Sequence, residues 1–374
     1  MLQVLPHMEQ GGMQRHVVDV ARHAAKAGWQ IHIASSGGVL ERDLIGYKAR
    51  HVHLPVASTS PWQQLRCMFK LAAYAKANEI SLIHAHDPRC GWSAAFAARR
   101  ANTTFLATAH RVIEGRSGLA RLGRRIMVMG DRTIATSHHI GQQLVQQLQA
   151  EQNRIRVVYR GIDLAEFKPE SILGHRIAAL ADRWRTRDGR AVVLLPGRVA
   201  PDNGHLTALA AMTVLDRDDF DVVIVGEQER DNAYIKKLER EIAAKKLGER
   251  VRFGGFCEDM PAALALADLV ILPTANGNGS GRILLEAQAM GKPVIVSSVG
   301  SFEELVLPAS TGWLIQPGDE GELAWALDRA LSMEGEVKDR LAKRARDFIA
   351  AEFSVERMAE RTMAVYDELR RTSP

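Results

Sequence analysis

A glycine-spaced loop that opens a helix is the stretch of this chain best suited to bind phosphate. Residues 276–294 read NGNGSGRILLEAQAMGKPV. The small residues Gly279, Ser280 and Gly281 leave the first-turn amides of the helix uncovered, and such amides attract phosphate. Glu286 lies about one and a half turns further on, where a carboxylate can accept hydrogen bonds from the two hydroxyls of a ribose. The spacing therefore predicts a seat for a nucleoside diphosphate.

A second candidate phosphate ligand, Arg198, follows the apolar strand of the segment AVVLLPGR. Its planar guanidinium suits phosphate oxygens, although an arginine after a strand is usually only a solvated charge. Its position favours a role here, because strands of the same half also lead into the glycine-spaced loop. Asn203 and Gly204 come next, at the start of the following helix.

Two features of the first half favour contact with a sugar. Gly11 and Gly12 follow the first strand and open a helix, and a glycine pair lets the backbone pass close to a sugar or a phosphate. A tight strand-to-helix turn explains the pair equally well. His110 ends a later strand, where an imidazole can hydrogen-bond a sugar hydroxyl, but this histidine alone does not decide the matter.

The segment His84-Ala85-His86-Asp87 resembles a metal cluster only at first sight. Successive residues of a strand point to opposite faces, so the two histidines share a face that Asp87 does not. No third ligand is nearby in the sequence. We therefore expect no metal, and we expect one histidine to pack in the core and the other to line a cleft.

The bulk composition indicates a two-domain globular protein. A chain of 374 residues is too long to fold around a single hydrophobic core, so its length favours two domains. We find no apolar run of membrane-spanning length and no secretory signal, which predicts a cytoplasmic protein. The cysteines have no ligand spacing, so we expect reduced, mostly buried thiols rather than disulfides or a zinc site. They are Cys67, Cys90 and Cys257.

The basic charge is concentrated in one half. Residues 1–170 hold 22 Lys and Arg against 12 Asp and Glu, and the remainder holds 27 against 32. Such a half favours an anionic partner, which is nucleic acid, phospholipid or an acidic saccharide, and nucleic acid is the weakest of these candidates because stacking aromatics are missing. Residues 111–132, from Arg111 to Arg132, hold six arginines interleaved with apolar side chains. This pattern is typical of a helix that lies in the interface of an anionic lipid bilayer. It is also typical of a helix whose basic residues face solvent while its apolar residues pack in the core.

Strands and helices alternate along the chain in two series, which predicts an α/β protein of two Rossmann-like, doubly wound domains. A polar, partly helical stretch over residues 163–190 separates the series. We expect domains at residues 1–165 and 166–352, facing across a cleft, because ligands of such sheets bind beyond the carboxyl ends of the strands. Residues 353–374 should form a helix that packs back on the first domain.

Several of these motifs, in this order along nearly the whole chain, resemble family 4 of the retaining glycosyltransferases. The likeness is closest to bacterial enzymes of lipopolysaccharide-core and envelope-polysaccharide synthesis, whose loop reads like FGRxxxEAQAMGxPVI. The resemblance implies a GT-B architecture and the retaining transfer of a hexose from a nucleotide-diphosphate sugar, without a metal or other cofactor. The motifs are Gly11-Gly12, His110, Tyr159-Arg160-Gly161-Ile162-Asp163, Gly197-Arg198, Gly226-Glu227, Phe253-Gly254-Gly255-Phe256, and residues 279–291.

The resemblance also implies roles for individual residues. Arg198 matches the arginine that clamps the donor diphosphate, and Glu286 matches the second glutamate of the family's E-x7-E motif, which holds the ribose. Leu284 and Leu285 would offer backbone amides to phosphate. The loop Gly11-Gly12 would lie near the reacting centre, and His110 would contact the transferred sugar.

The chain departs from the family pattern at three positions. Asn203 stands where the family has a second diphosphate cation, a lysine. Asn278 replaces the first glutamate of E-x7-E, and Ser280 replaces an aromatic residue. Arg282 is a candidate to replace the missing charge.

These inferences predict a hexosyltransferase that acts on a saccharide or lipid-linked acceptor at the inner face of the cytoplasmic membrane, with peripheral contact through residues 111–132. The alternative is a degenerate GT-B protein that binds a nucleotide or a partner without turnover, as the asparagines at 203 and 278 suggest. A dinucleotide oxidoreductase is disfavoured because no GxGxxG with a following acidic residue appears after either first strand.

Overall fold

A computed structural model describes residues 1–111, 123–227, 233–277 and 281–372. The chain forms two compact units. Unit 1 comprises residues 1–161 and 354–374, and unit 2 comprises residues 162–353.

Unit 1 is built on a parallel sheet which, in the described residues, has seven strands in the order β3-β2-β1-β4-β5-β6-β7. All residues of β1, β2 and β4 are buried, as expected for strands of a parallel sheet that is covered on both faces. The strands are β1 (Leu2–Val4), β2 (His32–Ser35), β3 (Arg50–His53), β4 (Leu82–Ala85), β5 (Thr104–Ala109), β6 (Arg132–Ala135) and β7 (Ile155–Val157).

The helices of unit 1 cover this sheet, and the C-terminal helix of the chain is one of them. Helix α12 (Val355–Thr372) packs against α1 (Gly12–Lys26), and its side chains Met358, Val365 and Leu369 are buried in the same hydrophobic cluster as Val17 and Val20. The predicted return of the C-terminal helix to the first domain is therefore confirmed. The helices are α1 (Gly12–Lys26), α2 (Pro61–Ala77), α3 (Pro88–Ala101), α4 (His138–Leu148) and α12 (Val355–Thr372).

Unit 2 repeats the plan with a parallel sheet in the order β10-β9-β8-β11-β12-β13. The apolar runs AVVLLP and FDVVIV form two adjacent inner strands, and nearly all of their residues are buried. The strands are β8 (Ala191–Pro196), β9 (Phe220–Val225), β10 (Val251–Gly255), β11 (Leu269–Leu272), β12 (Val294–Ser297) and β13 (Gly312–Ile315). The helices are α5 (Gly174–Trp184), α6 (His205–Val214), α7 (Ala233–Ala244), α8 (Met260–Leu266), α9 (Arg282–Ala289), α10 (Glu320–Leu331) and α11 (Gly335–Glu352).

The predicted α/β architecture of two Rossmann-like domains is confirmed, with some local differences. Strands β3 and β7 were not expected, because the segments RHVH and IRV contain no apolar run. The polar stretch over residues 163–190 is more than a linker between the two domains. Its helix α5 packs on α8 and β10, with Leu180 and Trp184 buried, and so belongs to unit 2.

The three cysteines are free and buried, as expected. Among the described helices, none combines the length and the apolarity that crossing a bilayer requires.

Candidate active site

The loops that leave the carboxyl ends of β8 and β11 meet at the centre of the unit 2 sheet. These strands are neighbours, and the strand order reverses direction between them, which is where ligands of open α/β sheets bind. The loops are bonded to each other. The Oγ1 of Thr274 donates to the backbone oxygen of Asp202 at 2.7 Å, and the amide of Ala275 donates to the same oxygen at 2.8 Å.

The loop after β8 presents one unpaired cation. Arg198 is exposed, and among the described residues its guanidinium has no hydrogen-bond or ion-pair partner. The backbone beneath it is held on both sides. The amide of Gly197 donates to the oxygen of Val225 at 2.8 Å, and the amide of Val199 donates to the oxygen of Glu227 at 3.1 Å. A fixed backbone with a free guanidinium is suited to bind an anion.

Asn203, which occupies the family's lysine position, closes this loop. Its Nδ2 donates to the backbone oxygen of Arg198 at 2.6 Å. The next residue, Gly204, has a φ of 76°, and a Cβ there would overlap the carbonyl of Pro273. Asn203 therefore contributes to the shape of the loop rather than to its charge.

The glycine-spaced loop is described only at its two ends. Asn278, Gly279 and Ser280 lie outside the described residues. Gly277 packs on the backbone of Gly300, where a Cβ would come within 2.8 Å of the Cα. Gly281 is the N-cap of α9 and has a φ of 63°, a conformation that favours glycine.

The first turn of α9 contains the two amides that the family resemblance predicts as phosphate ligands. The amides of Leu284 and Leu285 both donate to the backbone oxygen of Gly281, at 3.1 and 3.2 Å. In this structure the two amides are therefore hydrogen-bonded within the helix, and their role as phosphate ligands stays a prediction.

Glu286 is paired with Arg282. The Nε of Arg282 donates to Oε1 of Glu286 at 2.6 Å, and Glu286 is buried, with 6% of its surface exposed. Burial raises the pKa of Glu286, whereas the charge of Arg282 and its hydrogen bond lower it. Arg282 engages this carboxylate through its Nε, and its role as a substitute for the missing diphosphate cation stays a prediction.

In unit 1, the loop Gly11-Gly12 lies beside a guanidinium that the sequence did not single out as a site residue. Gly11 is the N-cap of α1, and a Cβ on Gly12 would come within 2.9 Å of Nη1 of Arg160. The Nη2 of Arg160 also donates a long hydrogen bond of 3.5 Å to the backbone oxygen of His110. The structure thus brings Gly12, His110 and Arg160 together. The last two are 50 residues apart in the chain.

Four histidines of unit 1 form a cluster in which His16, His84 and His86 are buried and His110 is half-buried. The ring centroids of His16 and His110 are 5.1 Å apart, and those of His86 and His110 are 5.6 Å apart. Burial, together with the charge of Arg160, lowers the pKa of His16 to about 3 and that of His110 well below its ordinary value. These imidazoles are therefore neutral at physiological pH, and His110 offers a neutral hydrogen-bonding group.

Both histidines of the HxH segment are packed in the interior. His84 lies 2.8 Å from the Oη of Tyr366 and 2.7 Å from the Oγ1 of Thr108. His86 is 2.9 Å from the Oε1 of Gln3. They share a face, as expected, but the expectation that one of them is left to line a cleft is not met, since each is no more than 2% exposed.

Comparison with known proteins decides the family. The family model described as Glycosyltransferase Family 4 matches residues 10–166, and the model described as Glycosyl transferases group 1 matches residues 178–348. The chain is a glycosyltransferase of the group 1 and family 4 type.

Individual relatives agree with this glycosyltransferase family. The D-inositol 3-phosphate glycosyltransferase of Salinispora tropica is 28% identical over 96% of this chain and 81% of its own. A glycosyltransferase structure from Rickettsia africae is 25% identical and superposes with a TM-score of 0.90, covering 100% of this chain and 98% of its own. The structure of Anabaena HepE with UDP and glucose is 21% identical, with a TM-score of 0.83 over 98% of each chain, and so shares the GT-B fold.

The basic segment of this glycosyltransferase is described at its first residue, Arg111, and over residues 123–132. Ile126 and Met127 are buried in the unit 1 core, and Arg132 pairs with Glu368 at 2.7 Å. In this part of the segment Ile126 and Met127 belong to the core and Met129 is 58% exposed, so the described residues offer one exposed apolar side chain rather than an apolar strip.

Proposed function

We propose that this glycosyltransferase transfers a hexose from a nucleoside diphosphate sugar to a saccharide or lipid-linked acceptor, with retention of anomeric configuration and without a metal ion. The observation that carries the proposal is the exposed guanidinium of Arg198, which has no partner among the residues that the structure describes and stands on a fixed backbone at the switch point of the unit 2 sheet. The structural neighbour HepE contains UDP and glucose, which supports a nucleotide sugar as the donor class. A role in envelope-polysaccharide or lipopolysaccharide synthesis is part of the proposal.

The reaction is a front-face displacement. The bond between the anomeric carbon and the diphosphate oxygen breaks, and the acceptor hydroxyl attacks from the same side. The departing phosphate oxygen takes the proton of that hydroxyl. Negative charge therefore grows on the diphosphate, where Arg198 stabilises it. Loss of one such stabilising group typically lowers the rate about 10²–10³-fold.

The neutral state of His110 fits a positioning contact with the transferred sugar. An imidazole with a depressed pKa does not serve as a cation at neutral pH, but it donates or accepts a hydrogen bond. The Nδ1 of His110 is buried without a partner among the described residues, so a sugar hydroxyl would satisfy it. This contact, and the place of the Gly11-Gly12 loop near the reacting centre, follow from the family resemblance.

We further propose peripheral contact with an anionic membrane, through helix α2 rather than through the described part of residues 111–132. Trp62, Leu65 and Phe69 are 78%, 43% and 51% exposed and follow one another at helical spacing. Arg66 and Lys70 lie on the same helix. Apolar side chains next to basic ones suit the interface of an anionic bilayer. The wild-type protein should sediment with phosphatidylserine vesicles, whereas the double variant Trp62→Ala/Phe69→Ala should remain in the supernatant.

Donor turnover tests the enzymatic proposal against a binding-only GT-B protein. The full chain is incubated with UDP-, GDP- and ADP-sugars, and the release of nucleoside diphosphate is measured. We expect slow release from one donor, which Arg198→Ala abolishes. If a donor binds but no nucleoside diphosphate is released, with or without a panel of saccharide acceptors, the binding-only reading is correct.

A further inference from the structure

A second group of titratable side chains lies in unit 1, outside the residues discussed so far. Glu41 belongs to a short 3-10 helix over Val39–Tyr47, and His51 and His53 lie on the edge strand β3. Residues two apart on a strand point to the same face, so both imidazoles reach the same carboxylate. One ligand atom from each of the three residues lies within 4.8 Å of the others.

The two distances from Glu41 to the imidazoles are close to those between the ligands of a tetrahedral metal ion. The Oε2 of Glu41 lies 3.2 Å from Nδ1 of His51 and 3.1 Å from Nε2 of His53. Ligand atoms about 2.1 Å from a tetrahedral Zn²⁺ lie about 3.4 Å from one another. The Nδ1 of His51 is buried and makes no hydrogen bond despite its closeness to the carboxylate oxygen. A cation between the two atoms would satisfy both.

The outer contacts of the trio hold two of its ligands in place. The amide of Gly38 donates to the other carboxylate oxygen of Glu41, Oε1, at 2.7 Å. The Oγ of Ser35 lies 2.8 Å from Nε2 of His51, the ring nitrogen opposite the one that faces Glu41. Hydrogen bonds of this kind orient metal ligands and fix the histidine tautomer. His53 has 65% of its side chain exposed, which leaves a path from solvent to the site.

The histidine cluster around His110 contains a competing trio, formed by His16, His86 and His110. That trio has no anionic ligand, and Arg160 is near enough to depress the pKa of both His16 and His110. A guanidinium at that distance repels a divalent cation. The Glu41 trio has a carboxylate instead, and two histidines with one carboxylate are a known ligand set for zinc.

We propose that Glu41, His51 and His53 bind one first-row transition metal ion of the Zn²⁺ type. The site is separate from the transfer chemistry, which needs no metal under the proposal above. It adjoins the loop that leads to Gly11 and Gly12, because the amide of Met8 donates to the oxygen of Gly37 at 2.8 Å and the amide of Leu40 donates to the oxygen of Met8 at 2.9 Å. A bound metal ion therefore restricts the motion of the loop that leads to Gly11 and Gly12.

Zinc titration of the full-length protein tests the site. The chain is stripped with a chelator and titrated with Zn²⁺ against a chromophoric competitor, and Co²⁺ is added separately to record its visible ligand-field bands. We expect one Zn²⁺ per chain and a Co²⁺ spectrum of tetrahedral type. His53→Ala should weaken Zn²⁺ binding at least about tenfold, and Ser35→Ala, which removes an outer contact, about tenfold.

The controls separate this site from other histidines. His175→Ala removes an exposed histidine of unit 2 and should leave Zn²⁺ affinity unchanged. Glu41→Gln keeps the size of the side chain but removes its charge, and it should weaken binding as His53→Ala does. The proposal is overturned if no stoichiometric Zn²⁺ binds. It is also overturned if binding survives both Glu41→Gln and His53→Ala, and loss of binding in His16→Asn then assigns the ion to the trio of His16, His86 and His110 instead.

Discussion

The pair formed by Glu286 and Arg282 makes a quantitative prediction about stability. The carboxylate is almost fully buried, whereas 23% of the Arg282 side chain is exposed. Arg282→Met keeps most of the side-chain volume but leaves the carboxylate unpaired. Breaking a buried pair in this way costs about 3–5 kcal/mol. For a unit of this size, each kcal/mol lowers the melting temperature by about 2–4 °C, so a loss of roughly 6–20 °C is expected at pH 8.

The same pair predicts how stability depends on pH. Burial raises the pKa of Glu286 in the folded state above its ordinary value of 4.5. The folded protein therefore holds this proton more tightly than the unfolded chain does. The contribution of Glu286 to the free energy of unfolding is full below pH 4.5, and it falls as the pH rises through the raised folded pKa. Arg282→Met raises that pKa further and so deepens the loss at higher pH.

Thermal melting of the wild type, Arg282→Met, Glu286→Gln and the double variant at pH 5 and pH 8 checks both statements. We expect the double variant to melt well above Arg282→Met at pH 8, because no buried charge remains. We expect the deficit of Arg282→Met to shrink at pH 5. The prediction is wrong if Arg282→Met has the melting temperature of the wild type at pH 8. It is also wrong if the double variant does not melt at a higher temperature than Arg282→Met.

Two further predictions concern single hydrogen bonds. Asn203→Ala removes the 2.6 Å hydrogen bond to the backbone oxygen of Arg198 and should lower the free energy of unfolding by about 1 kcal/mol in thermal melts. Asn203→Lys should lose the same bond, yet in calorimetric titration it should bind nucleoside diphosphate more tightly than Asn203→Ala does. Weaker binding by the lysine variant would contradict the placement of residue 203 near the diphosphate. Tyr366→Phe leaves the buried Nδ1 of His84 unpaired and should lower the free energy of unfolding by about 1–3 kcal/mol in urea melts. The control Tyr47→Phe loses no hydrogen bond to a described residue, so its free energy of unfolding should equal that of the wild type. Equal stability of the two phenylalanine variants would refute this account of His84.

The elements that the sequence reveals are those with long apolar runs. AVVLLP and FDVVIV predict β8 and β9 because strands buried on both faces contain few polar residues. Strand β3 gives no such signal, since RHVH lies at a sheet edge and its residues are exposed or half-buried. For the same reason, the trio of Glu41, His51 and His53 was not recognised in the sequence.

Residue pairs within the candidate site were predictable only when they are close in sequence. Arg282 and Glu286 are four residues apart on one helix, a spacing at which opposite charges meet, so their pairing could have been predicted. The closeness of Arg160 to Gly12 comes from the parallel order of β1, β4, β5, β6 and β7, which brings distant loops to one edge of the sheet. No local pattern encodes that approach.

Calorimetric titration of nucleoside diphosphate into the wild type and Arg198→Ala measures the contribution of this guanidinium to donor binding. Arg198 has no partner among the described residues, so its removal should leave the melting temperature of the free protein unchanged. Loss of a charge-assisted hydrogen bond worth about 1.5–3 kcal/mol should weaken binding about 10–150-fold. Equal affinities of the two proteins would contradict the claim that the loop after β8 holds the diphosphate through this guanidinium.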